Sequence, residues 1–147
     1  MEVDLHIHSA HSNDCRSRPE AIVKRALAVG LGAIAVTDHN SWEGARAVSR
    51  AADGALLVIP GAEMKTDKGD LLALFVEEEV RTGDWADAVD QIRSRGGLSI
   101  VPHPLDSPKL TKTDIVLADG LEVFNSTCRA RSNTISLNIA KELKKPG

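Results

Sequence analysis

Tyrosine is absent from this 147-residue chain, and two tryptophans and two phenylalanines are its only aromatics. Stacking of nucleic-acid bases on aromatic platforms is therefore not expected. Cysteine is nearly as scarce. Cys15 and Cys128 are too few and too far apart for a disulfide framework or a zinc knuckle, and they read as reduced thiols of a cytoplasmic protein. No apolar run approaches the ~20 residues of a membrane span, and no basic segment followed by an apolar one opens the chain, so neither a membrane role nor secretion is expected. Neither sign of charge dominates: 18 basic against 21 acidic residues leave a net charge of -3. Such a chain exerts no long-range pull on nucleic acid, and a grip on an extended duplex is not expected. A glycine-rich phosphate loop is also missing, because the "GLGA" of residues 30–33 precedes a strand instead of following one.

What is present is ordinary for a globular protein: 42% hydrophobic and 27% charged residues, in a length that suits a single domain over 1–147. Short apolar runs alternate with amphipathic stretches. Strands are expected at "VDLHI", "GAIAVTDH", "ALLVIPGAE", "LLALFV", "LSIVPHP" and "GLEVFN". Helices are expected at "SRPEAIVKRALAVG", capped by Ser17 and stopped by Gly30, and at "SWEGARAVSRAADG", capped by Ser41 and closed by Gly54. Two further helices are expected, one from Asp84 to Gly96 and one over "SNTISLNIAKELKK". Strands apolar on both faces and alternating with helices imply an α/β fold with a parallel sheet, either doubly wound or a barrel.

In such folds chemistry gathers at the carboxyl ends of the strands. Three of the five histidines fall in "VDLHIHSAHSND". The first strand ends in His6 and His8, the second in Asp38 and His39, the third in Glu63, the fifth in His103 and the sixth in Asn125. Metal-ligating residue types thus recur at nearly every strand end, which stability does not require. Strand side chains repeat every two residues, so His6 and His8 point to one face and make one side of a metal site. Glu63 can bridge two metals through its two oxygens. Asp14, on the loop after the first strand, reads equally as a ligand reaching back or as a cap residue. His11 reads as a loop residue. Asp4 reads as a strand-end hydrogen bonder, and Asp38 either as a residue orienting a ligand histidine or as a turn residue. Asp70, ahead of "LLALFV", reads as a turn residue. Arg129 and Arg131 follow the sixth strand, where a guanidinium can hold a phosphate, although a solvated loop explains them as well.

"DLHIHSAHSND", "AIAVTDHN", "IPGAEM" and "IVPHP", in that order, resemble the PHP (polymerase and histidinol phosphatase) superfamily, from residue 3 to about 145. The resemblance implies a distorted parallel β/α barrel of seven strands, about six of them represented here. It implies two or three divalent ions, Zn, Mn or Fe. His6 and His8 would hold one metal, Glu63 would bridge, and His103 would serve the second. His39 and Asp14 would serve the third, and Asp70 stands where many members place a further ligand. The family closes on a strand ending in Asp-x-His. That motif is not in these 147 residues, and the domain is expected to be C-terminally incomplete.

The function expected is a metal-dependent phosphoesterase. It would hydrolyse a small phosphomonoester, a nucleotide or a short oligonucleotide through a metal-activated water, with Glu63, His39 and Arg129 as catalytic residues. Two rivals stand beside it. One is a non-catalytic metal- or nucleotide-binding remnant of the same fold. The other is an amidohydrolase-like enzyme using a metal-bridging carbamylated lysine, for which Lys65 is the only lysine near the motifs.

Overall fold

The computed structural model describes all residues, Met1–Gly147. Six strands and five α-helices follow one another as β1 (Glu2–Ile7), α1 (Pro19–Ala28), β2 (Leu31–Val36), α2 (Glu43–Ala52), β3 (Leu57–Lys65), β4 (Asp70–Leu74), α3 (Trp85–Ser94), β5 (Leu98–Val101), α4 (Lys112–Leu117), β6 (Gly120–Leu121) and α5 (Ala130–Leu143). The chain forms two compact units. One comprises Met1–Met64 and Ala73–Glu79, the other Lys65–Leu72 and Val80–Gly147.

In the first unit β1 pairs with β2 and β2 with β3, both in parallel. Apolar β2 is the middle strand of the three, and its Ala33–Val36 are all buried. Helices α1 and α2 turn Ile22, Val23, Ala26, Ala45, Val48 and Ala52 onto Ile34, Val36 and Leu56. This is the i, i+3/i+4 stripe their sequences carry. The cap of α1 is one residue later than Ser17: Arg18 occupies the N-cap position and Pro19 opens the helix. Proline suits that place because its missing N–H has no helical partner there. Likewise α2 begins after Trp42, while Ser41 Oγ accepts the Glu43 N–H at 3.4 Å.

The strand after β3 departs from the expected parallel order. Only Thr66–Gly69 separate β3 from β4, too short for a crossover, which needs about a dozen residues. Thr66 N–H donates to the Gly69 carbonyl at 2.9 Å, and Phe75 N–H to the Pro60 carbonyl at 2.8 Å. The connection is a hairpin, so β4 runs back antiparallel and the strand set is mixed.

In the second unit β5 and β6 pair in parallel. Helix α3 is capped by Asp84, which accepts from Asp87 N–H, and buries Trp85, Ala88, Val89 and Ile92. The sixth strand holds only Gly120 and Leu121 of the six residues expected; the Glu122 N–H still donates to the Val101 carbonyl at 2.8 Å, and its carboxylate accepts the His103 N–H at 2.7 Å. Helix α5 starts two residues earlier than expected, at Ala130. The sequence reading missed α4, yet its capping box is plain afterwards: Thr111 and Asp114 satisfy each other's backbone N–H.

Candidate metal centre

Parallel pairing sets the carboxyl ends of β1, β2 and β3 on one edge of the first unit. Thr37 N–H donates to the Ile7 carbonyl at 2.8 Å, Glu63 N–H to the Asp38 carbonyl at 3.1 Å, and His39 bridges Glu63 across the two strand ends. Histidines leaving β1 and β2 are thereby carried to the glutamate of β3.

The result is a cluster around one carboxylate oxygen. Glu63 is 1% exposed. Its Oε2 lies 2.9 Å from His8 Nε2, 3.2 Å from His6 Nε2 and 3.4 Å from His39 Nδ1. Asp14 caps the other side, 2.9 Å from His8 Nδ1 and 3.5 Å from His39 Nε2. The rings of His8 and His39 meet edge to face with centroids 4.7 Å apart, and His6 and His8 are 5.2 Å apart.

The electrostatics are those of a cation site. Burial pulls the His8 pKa down, but the carboxylates of Glu63 and Asp14 outweigh it and the net shift is upward. Asp14 titrates below the usual carboxylate range: burial opposes this, and the Ser12 hydroxyl and His8 overcome it. His8 Nε2 and His39 Nδ1 are buried and make no hydrogen bond, despite standing close to the Glu63 oxygen. Proximity without hydrogen-bond geometry means that the nitrogens converge beside the carboxylate. Buried polar atoms in natural folds are otherwise satisfied. The ligand atoms of His8, His39 and Glu63 lie within 4.8 Å of one another, so this donor set fits a divalent ion.

The side-chain hydrogen bonds of Asp38 go to Ser9. Its carboxylate is fully buried and holds Ser9, accepting the backbone N–H at 2.5 Å and the hydroxyl at 2.7 Å. Asp4 accepts the His6 N–H at 3.1 Å. His103 belongs to the second unit, just past β5, with a positive φ of 25°. The Glu122 carboxylate that takes its N–H is itself held by the Asn125 amide at 3.1–3.2 Å. Asp70 opens β4 and is held by Lys65 Nζ at 2.7 Å. Lys65 therefore serves a surface ion pair and not a buried metal bridge. Arg129, at the N-cap position of α5, and Arg131 in its first turn are both exposed. The sequence reading missed Ser12 altogether. Its hydroxyl donates to Asp14 at 2.5 Å and accepts the His39 N–H at 3.3 Å. No local signal marks a loop serine for that role.

A histidine–carboxylate cluster on the strand ends of an α/β fold has the make-up of a metal centre. The sequence model of the PHP domain matches residues 4–134, and the chain belongs to that family of metal-dependent hydrolases. An uncharacterised protein of Methanocaldococcus jannaschii is 32% identical over 160 residues, spanning 97% of this chain and 94% of that protein. The 5'-3' exoribonuclease Rnm of Escherichia coli is 39% identical over 66 residues, which are 43% of this chain and 22% of the enzyme. Among solved structures, a proposed metal-dependent phosphoesterase from Bifidobacterium adolescentis superposes with a TM-score of 0.77 at 15% identity. That match covers 97% of this chain and 84% of the other. An amidohydrolase from Chromobacterium violaceum superposes with the same score, identity and coverage. The fold is thus the α/β fold of PHP-type structures. No helix is long and apolar enough to cross a membrane.

Proposed function

We propose that the protein is a metal-dependent phosphoesterase acting on a small phosphomonoester, a nucleotide or a short oligonucleotide. One observation carries the reading: three imidazole nitrogens of His6, His8 and His39 crowd a single buried oxygen of Glu63. His6, His8, Asp14, His39 and Glu63 would hold the ions, with His103 as a further ligand. Two or three divalent ions of zinc, manganese or iron are proposed, since imidazole with carboxylate suits each of them. Such ions supply Lewis acidity toward a phosphoryl oxygen and a water nucleophile at neutral pH.

The protein's own groups do the rest. Asp14 bonds His8 Nδ1 at 2.9 Å, which leaves His8 Nε2 turned toward Glu63 as the nitrogen offered to an ion. Burial of Glu63 keeps water from competing for its oxygens. Arg129 is proposed to meet the phosphoryl oxygens, as a planar guanidinium does well. The net charge of -3 supports a small substrate over a long duplex. The similarity to the exoribonuclease supports testing short oligonucleotides beside monoesters.

The test is turnover of a chromogenic phosphomonoester, of nucleoside monophosphates and of a short RNA, by metal-stripped protein with manganese or zinc restored. Restored turnover in the wild type and none in His8→Ala supports the reading. Stoichiometric metal without turnover of any of these substrates would show a binding module instead.

A further inference from the structure

The candidate metal ligands do not position themselves. Asp38 stands between three of them. Its main chain leads directly into His39. Its carbonyl accepts the Glu63 N–H at 3.1 Å. Its carboxylate takes the backbone N–H and the hydroxyl of Ser9, the residue that follows His8. The same turn then propagates outward. Ser9 Oγ accepts the His11 N–H at 3.1 Å, and the Ser9 carbonyl accepts the Ser12 N–H at 3.0 Å. Ser12 in turn holds Asp14.

A fully buried carboxylate needs space as well as donors, and that space comes from the opposite side. Gly44 lies in the first turn of α2 and is buried. A Cβ built on Gly44 would fall 1.6 Å from Asp38 Oδ2 and 2.5 Å from Ser9 Oγ. An overlap of that size requires the Asp38 carboxylate or the Ser9 hydroxyl to move, and their mutual hydrogen bond with them. Glycine is a poor helix residue, and alanine is the best. Helix propensity alone would favour alanine at position 44, and packing against Asp38 opposes it.

We infer that Asp38 and Gly44 form a lock that fixes the His8–Ser9 turn, with Asp38 a positioning residue acting through Ser9 and Gly44 the gap that admits its carboxylate. The lock sets where His8 and Asp14 stand relative to His39 and Glu63 without touching the ion. The inference rests on the metal-site reading above, but part of it can be judged without metal.

The experiment compares the full chain with Gly44→Ala, Asp38→Asn and Asp38→Ala. Two readouts are taken: amide hydrogen exchange of the metal-free proteins, and manganese and zinc affinity by calorimetry. In Gly44→Ala the Ser9 amide should exchange at least tenfold faster, while Ile34 and Ala35 in β2 keep their protection. Metal affinity should fall ten- to hundredfold, the usual cost of losing a residue that orients a ligand. Asp38→Asn should stay within about threefold of wild type, because an amide can still accept from Ser9 N–H and donate to Ser9 Oγ. Asp38→Ala should match Gly44→Ala. A folded Gly44→Ala with wild-type Ser9 exchange and wild-type affinity overturns the lock. So does an Asp38→Asn as impaired as Asp38→Ala, which would make charge the operative property. If Gly44→Ala does not fold, the Asn and Ala pair at position 38 decides. If the wild type binds no divalent ion, the metal-site reading fails, and Ser9 exchange still decides the lock.

Discussion

Replacing Glu63 by glutamine separates what the buried carboxylate costs from what it does. The substitution keeps size and shape but removes the charge. In the metal-free protein Glu63 is 1% exposed and faces three imidazoles at 2.9–3.4 Å. A buried carboxylate carries a desolvation penalty of several kcal/mol. At pH 8 the metal-free variant should therefore be at least as stable as the wild type. The loaded proteins should differ in the opposite sense. An ion at one hundred times its Kd stabilises the native state by about 2.7 kcal/mol. For a chain of this size, 1 kcal/mol moves Tm by roughly 2–4 °C, so metal should raise the wild-type Tm by about 5–11 °C. Without the anionic ligand the rise should shrink to about 1–2 °C at the same concentration. Scanning calorimetry at pH 8, with and without manganese or zinc, reads both quantities. A metal-dependent rise in Glu63→Gln equal to that of the wild type would refute the argument, because the carboxylate would then not be a ligand.

Two further outcomes test the second unit. Asp119 lies below the ordinary carboxylate range: burial opposes this, but Ser99 N–H at 2.8 Å, Ser99 Oγ at 2.7 Å and the Arg93 guanidinium outweigh it. A depressed folded pKa gives stability that is present above the unfolded value and lost as pH falls through the folded one. Asp119→Asn should thus cost about 1–2 kcal/mol at pH 7 and progressively less below pH 4, as urea titrations across that range would show; a penalty that does not change with pH would contradict it. Trp85 is 1% exposed and its Nε1 donates to the Asp114 carbonyl at 3.1 Å, tying α3 to α4. Trp85→Ala should destabilise by about 3–5 kcal/mol and Trp85→Phe by less, measured by denaturant unfolding; equal losses would mean that the ring volume contributes little.

Much of the centre was legible in order along the chain. His6, His8, His39 and Glu63 each end an apolar run, and a period-2 strand presents its terminal residues at a predictable edge. Helix positions were legible for the same reason, since α1, α2 and α3 carry apolar stripes that fit one buried face. Boundaries were less so. Ser17 and Ser41 look like caps, yet proline geometry placed the start of α1 at Arg18–Pro19, and α2 opened after Trp42.

The sequence by itself determined the order of the six strands and of four of the five helices, and the histidines and carboxylates at the strand ends, because periodicity and residue chemistry are local properties. Tertiary structure decided the rest. The hairpin at Thr66–Gly69 reverses β4, and the Glu122 carboxylate takes the His103 N–H across 19 residues. The same holds for the partners of the polar side chains. Asp38 had read as a possible orienter of histidine, and it holds Ser9 across 29 residues. Ser12 had carried no signal, and it joins Asp14 to His39. Gly44 lies unmarked inside a helical stretch of the sequence, and it leaves room for a carboxylate. Each of these depends on what lies within a few ångströms in space and not on what lies beside it in the chain, so no local pattern encodes it.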